Sequence, residues 1–244
     1  MINFVETDIL KESVTNRILI TGGSSGIGAA IAEKFHKEKW KVFIADRDEP
    51  RATFNENYFF CKTDVTRAED IGDLYQSAKE NIGIPDVLVI NAGRGIREKL
   101  LEGDPEKWQQ VIDTNLMGAL RCIRAFVPEM LERKSGNVVF ISSVAANQPH
   151  EYGGIYSASK TALEVIAETL RLETLPHLNV TVVSLGITET NFFKNEISGH
   201  TSIEKLNMGS IEPEEVAEDV FYAVNKKKNT SINKIITRPL KQNF

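Results

Sequence analysis

The chain has 244 residues, 41% apolar and 26% charged, a balance that suits a folded globular protein and excludes a disordered or fibrous one. Lys and Arg number 29 against 34 Asp and Glu, so the formal charge of -5 repels polyanions and argues against a nucleic-acid partner. The two cysteines, Cys61 and Cys122, form no CxxC pair, and the four histidines, His36, His150, His177 and His200, show no ligand spacing, so no disulfide scaffold and no metal is expected. The N-terminus carries acids where a signal peptide has bases, and no apolar run approaches membrane-spanning length, so the expectation is a cytoplasmic protein without a membrane partner.

No tandem repeat or linker divides the chain, so it reads as one domain over 1–244, with 1–16 as an N-terminal extension. Apolar runs predict strands at Arg17–Thr21, Lys41–Asp46, Tyr58–Cys61, Asp86–Ile90, Asn137–Ser142, Asn179–Ser184 and Ile232–Thr237. Helical spacing predicts helices over Ile27–Lys39, Arg67–Asn81, Pro105–Arg133, Tyr156–Leu175 and Pro213–Lys226. Apolar strands alternating with helices imply an α/β fold: a doubly wound Rossmann domain whose seven-stranded parallel sheet is flanked by helices. Ligands of such sheets bind beyond the carboxyl ends of the strands, so the chemistry is expected there.

The segment Thr21-Gly-Gly-Ser-Ser-Gly-Ile-Gly28 follows the first strand and opens the first helix. Gly22, Gly26 and Gly28 allow a tight turn, and the backbone N–H groups of Ser24, Ser25 and Ile27 with the helix N-terminus suit a pyrophosphate. Asp46 ends the second strand, where a carboxylate accepts hydrogen bonds from ribose hydroxyls and opposes a 2′-phosphate. This favours NAD, while the adjacent Arg47 keeps NADP open. Tyr156 and Lys160 lie four apart on a predicted helix, and a Lys charge beside a phenol is expected to lower its pKa toward neutrality.

These ordered motifs resemble the short-chain dehydrogenase/reductase family over essentially the whole chain from about Arg17 onward. The glycine segment resembles the family's TGxxxGxG loop, Asn91-Ala92-Gly93 its NAG segment, and Tyr156 with Lys160 its YxxxK pair. Asn115 matches its helix asparagine, and Ser143, thirteen positions before Tyr156, its catalytic serine. The resemblance implies a catalytic tetrad of Asn115, Ser143, Tyr156 and Lys160, adenine contacts from Asp64 and Val65, and nicotinamide-side contacts from Gly186, Thr188 and Thr190. It implies hydride transfer between a nicotinamide cofactor and a small-molecule alcohol or carbonyl substrate. In that scheme Tyr156 is the acid/base, Ser143 holds the substrate oxygen, Lys160 also binds the nicotinamide ribose, and Asn115 holds a relay water. A homodimer or homotetramer is implied as well. A catalytically weak redox sensor or interaction protein on the same fold is the alternative.

The chain departs from the family pattern at Ile90, in place of the first Asn of NNAG, and at Leu185, in place of a proline before Gly186. The stretch from Asp46 to Asp64 leaves little room for a full helix. The C-terminal Ile232 to Gln242, with its Arg238-Pro239, resembles the branch of serine and 3-hydroxy acid dehydrogenases, which mostly use NADP. Arg94, Arg97 and His150 fall near the expected cleft, and Phe192 and Phe193 lie in a segment that often closes over substrate in relatives.

Overall fold

The computed structural model describes residues 16–51, 56–227 and 229–243, so nearly all of the predicted extension 1–16 lies outside the described residues. Seven strands, β1 (Arg17–Thr21), β2 (Lys41–Asp46), β3 (Tyr58–Lys62), β4 (Val87–Ile90), β5 (Asn137–Ser143), β6 (Asn179–Leu185) and β7 (Lys234–Thr237), form one parallel sheet in the order β3-β2-β1-β4-β5-β6-β7. The order reverses between β1 and β4. Crossovers leave from opposite sides of that seam, and a crevice opens there at the carboxyl ends of the strands.

Strand periodicity divides the core into two layers. Ile18, Ile20, Val42, Ile44, Val87 and Val89 point to one face, where α1 (Gly26–Lys37) and α7 (Pro213–Val224) cover them. Leu19, Phe43, Leu88, Val138 and Phe140 point to the other, under α2 (Ala68–Asn81), α4 (Gly118–Glu132) and α5 (Gly154–Thr174). The central β4 is buried along its whole length, whereas the edge strand β7 alternates exposed and half-buried residues. Among the described residues no helix is long and apolar enough to cross a membrane, and no group of three or more His, Cys, Asp or Glu side chains is placed to hold a metal.

The long helix predicted from Pro105 to Arg133 is interrupted. It consists of α3 (Pro105–Ile112), a widened π turn over Asp113–Met117, and α4. Asp104 starts α3 by accepting the Glu106 amide, with Pro105 in the first turn. The π turn centres on Asn115, whose inward amide is hydrogen-bonded to neighbouring elements, and the extra residue in the ladder accommodates that inward position. At the other boundaries the differences are small. β7 begins at Lys234 rather than Ile232, although the carbonyls of Ile232 and Asn233 still accept from Thr181 Oγ1 and Val182 N. A short helix, α6 (Ile203–Leu206), forms in a stretch that no periodicity marks, started by the Ser202 hydroxyl accepting the Lys205 amide at 3.4 Å.

Candidate functional site

The crevice at the switch point is a cleft of about 1350 Å³. Of the residues singled out in the sequence, Gly22, Ser24, Ser25, Gly26, Ile27, Asp46, Arg47, Asp64, Val65, Asn91, Ala92, Gly93, Ser143, Tyr156, Lys160, Gly186, Thr188 and Thr190 all line it. Gly28 and Asn115 do not line it; each supports the wall from behind.

At one end, the glycine loop turns from β1 into α1. Gly22 and Gly26 have φ of 68° and 50°, a region that side chains avoid, and a Cβ on Gly28 would stand 2.1 Å from the Gly22 carbonyl oxygen. Gly28 therefore lets the loop fold back on the helix. Asn91 fastens it to β4 by donating from Nδ2 to the carbonyls of Thr21 and Gly22 at 2.9 and 2.8 Å. The first turn of α1 carries no acid, and the buried Ser24 hydroxyl has no partner among the described residues. A glycine cradle, an orphaned hydroxyl and a helix N-terminus together fit the pyrophosphate of a dinucleotide.

Farther along, the Asp46 carboxylate accepts the Ser24 amide at 3.0 Å, so it sits against the cradle rather than out in solvent. Asp64 anchors the next loop by accepting the Thr66 amide and hydroxyl at 2.9 and 2.7 Å. Burial pushes its pKa up, but the Thr66 bonds with Arg47 and Arg67 outweigh this and hold it below the ordinary carboxylate value. Burial and the like charge of Arg47 lower the pKa of Arg94. No helix occupies the described part of the stretch from Asp46 to Asp64, in line with its short length.

The chemical end lies beyond β4, β5 and β6. Ser143 ends β5, and its hydroxyl, which accepts the Ala145 amide at 3.2 Å, lies near enough to the Tyr156 phenol of α5 to favour its ionised form. Lys160 follows one turn later, buried, with Nζ donating to the Ile141 carbonyl at 2.8 Å and lying 5.9 Å from the centre of the Tyr156 ring. Gly93 packs between Asn115 and Lys160: a Cβ there would stand 3.3 Å from Asn115 Oδ1 and 3.6 Å from Lys160 Nζ.

One sequence expectation is corrected here. Lys160 does not bring Tyr156 toward neutrality in this structure: burial pushes the phenol up to about 12 against the lowering effect of the Ser143 hydrogen bond, and Glu196 raises it further. Burial takes Lys160 itself down to about 8, opposed by the charge of Glu164. The side chain of Asn115 is tied into the surrounding structure. Its Oδ1 accepts the Arg94 amide at 2.7 Å, and its Nδ2 donates to the Arg94 carbonyl and to Ser159 Oγ, each at 3.0 Å.

After β6, Gly186 packs so closely that a Cβ would meet Gln242 Oε1 at 2.2 Å, and the same oxygen accepts the Ile187 amide at 3.0 Å. The buried Gln242 thus fixes the backbone just after Leu185, which stands where the family has a proline. The sequence reading did not single it out as a site residue. Thr188 Oγ1 donates back to the Gly186 carbonyl, and Thr190 accepts the Phe192 amide while packing against Gly26.

The remaining wall is formed by the segment after β6. The Phe192 ring stands 5.6 Å from that of Tyr156, and Arg97 Nη1 lies 3.3 Å from His150 Nε2. Glu196, which no motif marked, is buried beside them, and burial raises its pKa to about 7, with Arg97 and the Thr201 amide opposing the rise. Backbone bonds from Ile197 to Gly95 and from Arg97 to Ser198 fasten this segment to the loop after β4.

Comparison with known proteins agrees with this geometry. Residues 16–200 match the family model described as short chain dehydrogenase. An uncharacterized oxidoreductase of Staphylococcus saprophyticus is 32% identical over 232 residues, 91% of this chain and 96% of its own length. Among solved structures, the closed form of a serine dehydrogenase complexed with NADP+ superposes with a TM-score of 0.85 at 26% identity, covering 93% of this chain and 96% of the other. An alcohol dehydrogenase from Thermococcus sibiricus, complexed with 5-hydroxy-NADP, gives 0.81 at 25% identity over 93% and 98% of the two chains. With the sheet order, the cleft and these matches in agreement, the chain belongs to the short-chain dehydrogenase/reductase family and is an oxidoreductase of that family.

Proposed function

We propose that the cleft binds a nicotinamide dinucleotide and interconverts a small alcohol and its carbonyl compound. The observation that carries this reading is the convergence of the Ser143 hydroxyl, the Tyr156 phenol and the Lys160 ammonium on one wall, at the far end of a cleft that begins at the glycine cradle. When bound, the cofactor supplies the hydride donor or acceptor. Ser143 orients the substrate oxygen, and Tyr156 exchanges a proton with it through Oη. Lys160, held by the Ile141 carbonyl, contributes positive charge near the phenol and a donor for the ribose. Asn115 braces Arg94 and Ser159, and so the floor beneath the pair, alongside the water-holding role its family position implies.

The carboxylate of Asp46 beside the cradle supports NAD as the preferred cofactor. Arg47, Arg51 and Arg94 on the same wall, and the NADP ligands of the two relatives, support NADP as the second reading. Dissociation constants for NADH and NADPH at one ionic strength separate the two. The exposed Val165 and Leu172, one heptad apart on α5, support a homo-oligomer, for which sedimentation would give a multiple of the chain mass.

The Tyr156→Phe variant tests the mechanism. General acid/base catalysis contributes about 10² to 10⁴ in rate, so kcat is expected to fall at least a hundredfold while NADH affinity stays within about threefold. Near-normal turnover by this variant would remove Tyr156 from the chemistry.

A further inference from the structure

Helix α5 sends two opposite charges, one turn apart, to adjacent residues of β5. Lys160 Nζ donates to the Ile141 carbonyl at 2.8 Å, and Glu164 Oε1 accepts the Ser142 hydroxyl at 2.9 Å. Glu164 stands behind the cleft wall, where three further donors converge on it. They are Ser184 Oγ from β6 at 3.3 Å, Lys234 Nζ from β7 at 2.6 Å, and Asn147 Nδ2 from the turn after β5 at 3.4 Å. A carboxylate 16% exposed and held by donors from three strands and a turn is far more confined than a surface ion pair.

We propose that Glu164 is a positioning residue for Lys160: clamped by β5, β6 and β7, its negative charge keeps Lys160 in the ammonium form beside Tyr156, and Lys234 tempers that charge from the far side. The inference rests on the proposed function only in giving Lys160 a chemical role. The ionisable groups facing the pair are the Tyr156 phenol from α5 and Lys234 from β7, while β5 and β6 contribute hydroxyls and a carbonyl. Burial works against the ammonium and takes its pKa down to about 8, close enough to neutrality for one neighbouring charge to decide the protonation state. Side chains four apart on a helix are neighbours about 5–6 Å apart at Cβ, and unit charges at about that separation in a dielectric of about 40 change proton affinity by roughly tenfold.

The test follows the titration of the Lys160 side chain by its Cε and Nζ resonances in the isotope-labelled full-length protein, assigned with Lys160→Arg. Glu164→Gln should lower the midpoint by about tenfold in proton affinity, whereas Lys234→Met, which frees the carboxylate from its competing cation, should raise it. A scaffold merely loosened by either change would shift both in the same direction. An unmoved midpoint in Glu164→Gln, or shifts of the same sign, overturns the proposal. Should Glu164→Gln fail to fold, Lys234→Met on the edge strand decides alone, and a midpoint unchanged or lowered in it counts against the proposal. Unchanged turnover in both variants, with the midpoints shifted as expected, would count against the proposed chemical role of Lys160 instead.

Discussion

Asn115→Ala removes a side chain that makes three hydrogen bonds inside the protein. Two of them satisfy the amide and carbonyl of Arg94, so the truncation leaves one donor and one acceptor of that backbone without partners. Each costs about 1–3 kcal/mol when buried. Ser159 Oγ keeps its bond to the Tyr156 carbonyl at 2.7 Å and is left satisfied. Because Arg94 borders the cleft, water relieves part of the penalty, which places the loss at about 3 kcal/mol rather than the upper bound of ~6. For a chain of this size that is a drop in Tm of roughly 6–12 °C. Urea denaturation measures the free energy, and NADH affinity should weaken alongside it because the loop from Asn91 to Arg94 lines the cleft. A loss below about 1 kcal/mol with unchanged NADH affinity would refute the view that Asn115 acts as a brace.

Glu196 carries a pKa raised to about 7 by burial, so the folded state holds its proton where the unfolded chain has released it. Its contribution to stability is whole below the ordinary carboxylate range and is lost as pH rises to about 7. Glu196→Gln should therefore gain about 2–3 kcal/mol over the parent at pH 8 and nothing at pH 4, and equal Tm differences at both pH values would contradict this. Asp46→Asn removes the charge that opposes a 2′-phosphate, and at about 4 Å that charge costs roughly 1–4 kcal/mol. The ratio of NADPH to NADH affinity should rise by tenfold or more, and a change under threefold would show that Asp46 does not select the cofactor.

The seven strands and their parallel arrangement were legible because each is a short apolar run, and the two-layer core follows from period-two alternation alone. What failed was the continuity of the helix from Pro105. A π turn costs no break in apolar spacing, and its cause, the bonds of Asn115 to residues 21 and 44 positions away, is tertiary. Distance along the chain also hid Gln242 and the clamp on Glu164, whose partner Lys234 is 70 residues away. The glycine cradle was visible because it is local: turn, strand end and helix start occupy one stretch of eight residues.

The proton chemistry shows why spacing alone misjudges a site. Tyr156 and Lys160, four apart, suggest a charge that acidifies a phenol, but both are buried, and burial drives each toward its neutral form: up to about 12 for the phenol and down to about 8 for the amine. The two groups titrate as a pair, whose first proton leaves near 8. Alcohol oxidation needs a base at the substrate oxygen, and the pair supplies one once it has released a proton, the Lys160 ammonium then standing beside a phenolate. The alkaline rise of the oxidation rate is therefore expected to have its midpoint near 8 and to move with the charge on Glu164. A midpoint near the ordinary value of tyrosine, insensitive to Glu164→Gln, would assign the limb to the phenol itself and leave Lys160 the task of holding the ribose.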